Sequence, residues 1–281
     1  MDPLVIVVNP NENTPRDPNP HVPFTADEIA ADVEACATAG ASVVHFHART
    51  ADGAPDHSPA AYTATAAAIR ARCEVLLAPA LARGTAGERV PDAGSDFLVI
   101  DAGSAAMDRY DPSTASFESG DRVLVTPTAT VTALLAASAG SGLVPWLASF
   151  TVGWSRTIDA HLAAWPGPAV VQLVLGGPEF LPAHPATRAG LDAHLAFLPE
   201  RARAWVVSAH RADVLTLAPE VIRRGGHLAV GVGDHPHRSR GLPTNAELVR
   251  ELADLARRLG REVADPVAAR RILGAPALTA S

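Results

Sequence analysis

Short apolar runs rich in β-branched residues recur along the chain, at residues 4–9, 42–48, 75–81, 97–102, 144–150, 169–176, 204–210 and 227–233, with alanine- and leucine-rich helical patterns between them. That alternation leaves little freedom. Runs that are apolar at nearly every position fit strands buried on both faces, and parallel neighbours need a crossover long enough to hold a helix. Such units, repeated over 281 residues, are the content of a (β/α)₈ barrel. The expected fold is therefore α/β, a single TIM-barrel domain over residues 1–281. A further apolar run at 123–126 is assigned to the crossover after the fourth strand.

Local signals agree with this reading. Thr25-Ala26-Asp27-Glu28 and Thr244-Asn245-Ala246-Glu247 read as capping boxes opening helices, with Gly40 closing the first of them, and Asp265-Pro266 supplies the N-cap and first residue of a last short helix. Residues 10–23, rich in Pro and Asn, form a long loop after the first strand. Long ordered loops at that end of a barrel are where function concentrates.

Composition removes several classes. With 48% hydrophobic residues the chain is not disordered, and no apolar run approaches the ~20 residues of a membrane span. The start, Met1-Asp2-Pro3-Leu4, lacks a basic n-region and cleavage site, and Cys36 and Cys73 give no disulfide framework, so a cytoplasmic location is expected. A net charge of −7 argues against a nucleic-acid partner. The chain contains no lysine, which removes Schiff-base chemistry.

His45 and His47 stand two apart on the second strand, so both side chains point to one face at its carboxyl end, where barrel enzymes place their chemistry. Two imidazoles on one face suit one divalent metal per chain, zinc first, with a third ligand still needed; two satisfied, partly buried histidines are the plainer alternative. Asp234 follows the last strand, which with the second flanks the first in a closed barrel, and is a candidate general base or ligand. Glu12 is the second candidate catalytic carboxylate. The third ligand is open among Asp234, Glu12, His210, His235 and water. Asn9 and Asn13 beside Glu12, Asp101 ending the fourth strand, and Gln172 with Gly176-Gly177 on the sixth are candidate substrate contacts, as is His210 ending the seventh. Arg49, Arg83, Arg238 and Arg240 are candidate partners for an anionic substrate.

Over nearly its whole length the sequence resembles the β-keto acid cleavage enzymes. The resemblance rests on Pro23-Phe24-Thr25-Ala26-Asp27-Glu28, on Ala39-Gly40-Ala41-Ser42-Val43-Val44-His45-Phe46-His47-Ala48-Arg49, on Gln172 to Gly176, and on Asn245-Ala246-Glu247-Leu248-Val249 with Gly260-Arg261-Glu262-Val263-Ala264. It implies a zinc-dependent barrel that transfers an acyl group between a β-keto acid and acetyl-CoA, giving acetoacetate and a new CoA ester, with His45 and His47 as ligands and Asp234 as the acid beside the last strand. It also implies a homo-oligomer. By the same resemblance, Gly233 replaces a metal-binding glutamate, Ala229 a catalytic arginine, Trp146 and Ala148 fifth-strand glutamates, Asn13 a first-loop glutamate, and Ala80-Leu81-Ala82-Arg83 a Ser-Thr-Gly-Gly turn. Two readings stand beside it. One is a metal-dependent hydrolase of the amidohydrolase type, which usually carries its His-x-His on the first strand. The other is a catalytically silent ligand-binding barrel.

Overall fold

The computed structural model describes residues 1–80 and 94–276; Leu81, Ala82 and Arg83 lie outside them. Strands β1 (Ile6–Val8), β2 (Val43–Phe46), β3 (Leu76–Pro79), β4 (Phe97–Asp101), β5 (Val144–Ser149), β6 (Val170–Gly176), β7 (Ala204–His210) and β8 (His227–Val230) fall inside the expected runs. They lie side by side in the order β3-β2-β1-β8-β7-β6-β5-β4, all parallel. The TIM barrel is thus present, and its one uneven seam is between β3 and β4. There the ladder is replaced by Asp96, whose N–H donates to the Leu77 carbonyl at 3.0 Å while its carboxylate accepts the Leu77 N–H at 2.8 Å. Arg70 and Arg270, each 2.7 Å away, neutralise that buried carboxylate.

Alternation along each strand divides the core in two. Val5, Val7, Val43, Leu76, Phe97 and Trp146 belong to one cluster inside the barrel, while Leu4, Ile6, Val8, Val44 and Phe46 join the layer packed against the helices. The helices are α1 (Ala26–Ala39), α2 (Pro59–Arg70), α3 (Thr128–Ser141), α4 (Val152–Leu162), α5 (Arg188–Leu195), α6 (Ala218–Arg223), α7 (Asn245–Arg258) and α8 (Pro266–Leu273). Both capping boxes are formed, and Asp265 caps α8. Gly40 ends α1 at φ 123°. The crossover after β4 carries two small antiparallel ribbons, Ala105–Ala106 with Val123–Leu124 and Tyr110–Asp111 with Ser116–Phe117. The first absorbs part of the 123–126 run. Both cysteines are free, and among the described residues no helix is long and apolar enough to cross a membrane.

Candidate active site

β1 pairs with β2 on one side and β8 on the other, so the segments leaving their carboxyl ends share one rim. Their backbones pack closely there. A Cβ on Gly231 would lie 2.0 Å from the Asn9 carbonyl oxygen, and one on Gly233 would lie 2.7 Å from the Asn11 carbonyl carbon. Glycine at both positions is what lets the β8 loop lie against the β1 loop.

Glu12 follows in that loop at φ 44°, in the left-handed region that a non-glycine residue seldom adopts. Its Oε1 lies 3.3 Å from His45 Nε2 and its Oε2 lies 2.7 Å from His47 Nε2. The imidazoles stand edge to face with centroids 5.3 Å apart. His45 Nδ1 is 2.7 Å from the Ala78 carbonyl oxygen. A carbonyl only accepts, so Nδ1 carries a proton and Nε2 of the neutral ring presents a lone pair to the Glu12 carboxylate. Two acceptors at that distance repel unless a positive charge lies with them. Burial alone would push the Glu12 carboxyl up; His47 and His45 outweigh it and hold the carboxyl well below the usual carboxylate range. Burial would likewise lower His45, but Glu12 raises it.

The same arrangement fits a metal ion. The three donor atoms lie within 4.8 Å of one another. Donors at about 2.1 Å around a tetrahedral zinc would stand roughly 3.4 Å apart, close to the His45–Glu12 separation. The His47–Glu12 contact is a direct hydrogen bond that must open by some tenths of an ångström. His47 Nδ1 is buried with no hydrogen-bond partner among the described residues. Asp234, another candidate third ligand on this rim, turns elsewhere: Asn9 Nδ2 donates to its Oδ2 at 2.7 Å, and His210 Nδ1 lies 3.8 Å from its Oδ1. Burial raises the Asp234 carboxyl, and the Glu12 charge adds to this against the opposing pull of His210 and Asn9. Asn9 Oδ1 is buried with no partner among the described residues.

The other expected contacts divide. His210 stays at the rim with its ring 4.6 Å from that of Phe180. Asp101 ends β4 in register with Ala148. Asn13 is exposed. Gln172 is occupied, accepting from Trp146 Nε1 at 2.7 Å and donating to Ser208 Oγ at 2.8 Å, so its amide braces three strands inside the barrel. Gly176 and Gly177 are both needed by the chain's own packing. Cβ atoms there would lie 2.3 Å from the Phe180 carbonyl oxygen and 2.0 Å from that of Arg211, so the chain itself fills the space. Arg49 is bound to the Thr14 and Gly53 carbonyls and lies 4.3 Å over the Phe24 ring. Arg240 pairs with Asp213 and Glu251. His235 stands edge-on to His237 and is not among the three clustered donors. Ala229 faces into the barrel core, as does Trp146.

Two residues of the site carry no sequence signal of function. Asn11 accepts the His47 N–H at 3.1 Å and donates to the His47 carbonyl at 2.8 Å. Asn245, the first residue of α7, accepts the Val232 N–H and donates to the Pro10 carbonyl and to Asp32. In the sequence one is a loop asparagine and the other a capping-box residue.

Known proteins resemble this chain in sequence and in fold. The chain is 28% identical over 264 residues to the 3-keto-5-aminohexanoate cleavage enzyme of Fusobacterium nucleatum, covering 92% of each protein. It is 28% identical to the 3-oxoadipate:acetyl-CoA acetyltransferase of Cupriavidus necator, covering 98% of this chain and 96% of that one. Among solved structures, the complex of ObcA with oxaloacetate superposes with a TM-score of 0.66 at 13% identity, covering 92% of this chain and 68% of the other, a likeness of fold. A family model described as beta-keto acid cleavage enzyme matches residues 3–275. This chain therefore belongs to the β-keto acid cleavage enzyme family.

Proposed function

We propose that the protein is a metal-dependent enzyme that exchanges acyl groups between a small β-keto acid and acetyl-CoA, releasing acetoacetate and a new CoA ester. The observation that carries this reading is the meeting of Glu12, His45 and His47 at the rim, beside a carboxyl whose pKa is raised, in a chain of this family. His45, His47 and Glu12 would hold one divalent ion, zinc being the best match to two imidazoles and a carboxylate. Such an ion would polarise the keto oxygen as a Lewis acid.

The chain's own groups do the rest. Asp234 exchanges a proton with substrate at Oδ1, the oxygen that Asn9 leaves free. Its raised pKa brings it nearer the working pH, where a proton is both taken and returned. His210, 3.8 Å from Oδ1, bounds the position on the other side. Asn9 Oδ1 is the acceptor left for a donor group on the substrate.

The test is incubation of zinc-supplemented protein with acetyl-CoA and a panel of β-keto acids, reading acetoacetate and new CoA esters. Asp234→Asn keeps the shape and loses the base. It should bind metal normally and lose about 10²- to 10⁴-fold in turnover. Stoichiometric metal with no CoA exchange across the panel would favour the silent-barrel reading instead.

A further inference from the structure

Asn11 is wholly buried, one residue before Glu12 and thirty-six before His47. The β1–β2 ladder ends at Val8 and Val44, and beyond it the two chains would part. Asn11 rejoins them. Its Oδ1 accepts the His47 N–H at 3.1 Å, and its Nδ2 donates to the His47 carbonyl at 2.8 Å and the Pro23 carbonyl at 3.3 Å. A side-chain amide thus binds one residue as a neighbouring strand would, through both backbone groups. The backbone of Asn11 in turn lies against Gly233, where a Cβ would come within 2.7 Å of it, so the loop fills the space a side chain at 233 would need. The left-handed turn at Glu12 then aims the carboxylate at both imidazoles.

The geometry points to Asn11 as the positioning residue of the metal centre: its amide locks the loop carrying Glu12 to the strand end carrying His47, so that the two donors form one rigid unit. This rests on the reading that the trio holds a divalent ion. Without the amide, the tie between the loop and the end of β2 would rest on the Arg49 guanidinium on the Thr14 carbonyl and on the Glu12–His47 contact itself. Neither fixes the His47 backbone, and the ion would have to order the donors on binding. Such outer-shell groups typically govern affinity by 10- to 100-fold.

The control is Asn19, equally buried in the same loop and equally bonded, to the Pro236 and Pro243 carbonyls and the His21 N–H, but touching no donor residue. Zinc affinity by chelator competition and the visible spectrum of the cobalt-loaded protein should be measured for the wild type, Asn11→Ala, Asn11→Ser and Asn19→Ala. Serine cannot span both groups of His47, and it covers the case in which alanine does not fold. Both Asn11 variants should bind zinc roughly 10- to 100-fold more weakly with an altered cobalt spectrum, while Asn19→Ala should lower the melting temperature and leave both readouts unchanged. Wild-type affinity in a folded Asn11 variant, or an equal loss in Asn19→Ala, overturns the assignment. A wild type that binds no metal overturns the underlying site instead.

Discussion

At φ 44° Glu12 occupies backbone that costs an L-residue roughly 1–2 kcal/mol, and its surroundings hold it there. Asn11 is clamped on one side, and the Thr14 hydroxyl donates to the Gly233 carbonyl on the other. Strain held in this way is common at functional sites. Gly233 takes part through its lack of a side chain. Gly233→Ala would place a methyl 2.7–2.8 Å from the Asn11 carbonyl carbon and nitrogen and 2.8 Å from the Asn9 carbonyl oxygen. Backbone cannot rotate away as a flexible side chain can, so the β1 loop must shift. The expected result is a loss of about 1–3 kcal/mol in unfolding free energy together with weaker zinc binding, read by urea titration and chelator competition. A variant with unchanged metal affinity would show that the exact seat of this loop does not matter. The residue scale is also where the sequence is least legible. His45 and His47 stand out because the two-residue period of a strand is a local rule. Glu12 could be named as a candidate, but its contact with them depends on a turn that Asn11 fixes from thirty-six residues away. Gly176 and Gly177 are ambiguous for a related reason: a glycine needed by the chain's own packing looks the same in sequence as one left open for a ligand.

Elements are more legible, because what starts and stops them lies within a few residues. Both capping boxes and the strand runs follow from local pattern. The Asp96 seam does not, since it depends on arginines from α2 and α8 converging on one carboxylate. The pairing of α1 with α7 holds a half-buried acid. Asp32 of α1 receives the Asn245 amide at 2.8 Å, yet burial outweighs that bond and pushes its carboxyl up to about 7. The unfolded chain gives up this proton near pH 4, and the folded protein holds it until about 7. Below the lower value the folded state incurs no penalty; as pH rises between the two, stability falls by roughly 1.4 kcal/mol per unit. Asp32→Asn keeps an acceptor for Asn245 and removes the ionisation. Relative to wild type it should be near neutral at pH 4 and stabilising by a few kcal/mol at pH 8, measured by denaturant unfolding at both. A stability difference that does not change with pH would rule out the buried-acid account.

Across the whole molecule the opposite dependence dominates, and buried histidines set it. Three are spread from the foot of the barrel to its rim. At the foot, His227 accepts the Val5 N–H on Nδ1 at 3.0 Å, and burial with the nearby Arg261 lowers it to about 3. His194 is fully buried with its ring 5.0 Å from that of His184, and burial with that neighbour lowers it to about 4. At the rim, burial brings His237 to about 4 despite Asp213. Each is neutral in the folded protein, whereas the unfolded chain takes up its proton near pH 6.5. Their stabilising effect is therefore complete above that value and is lost as pH falls towards the folded pKa values. Three such groups lose roughly 4 kcal/mol per pH unit, against roughly 1.4 regained at Asp32. The net slope, about 2.7 kcal/mol per unit, removes the lower end of a typical stability of 5–15 kcal/mol about two units below pH 6.5, so acid unfolding should begin between about pH 5 and 4. His227 is the cleanest test, because it lies at the end of the barrel opposite Glu12, His45 and His47. His227→Asn keeps an acceptor near the Nδ1 position and cannot be charged. It should be less stable than wild type at pH 7, through poorer packing, but its stability should fall less steeply between pH 6.5 and 4.5, by about 1.4 kcal/mol per unit. An unchanged slope in urea titrations across that range would mean that the proton responsible binds elsewhere.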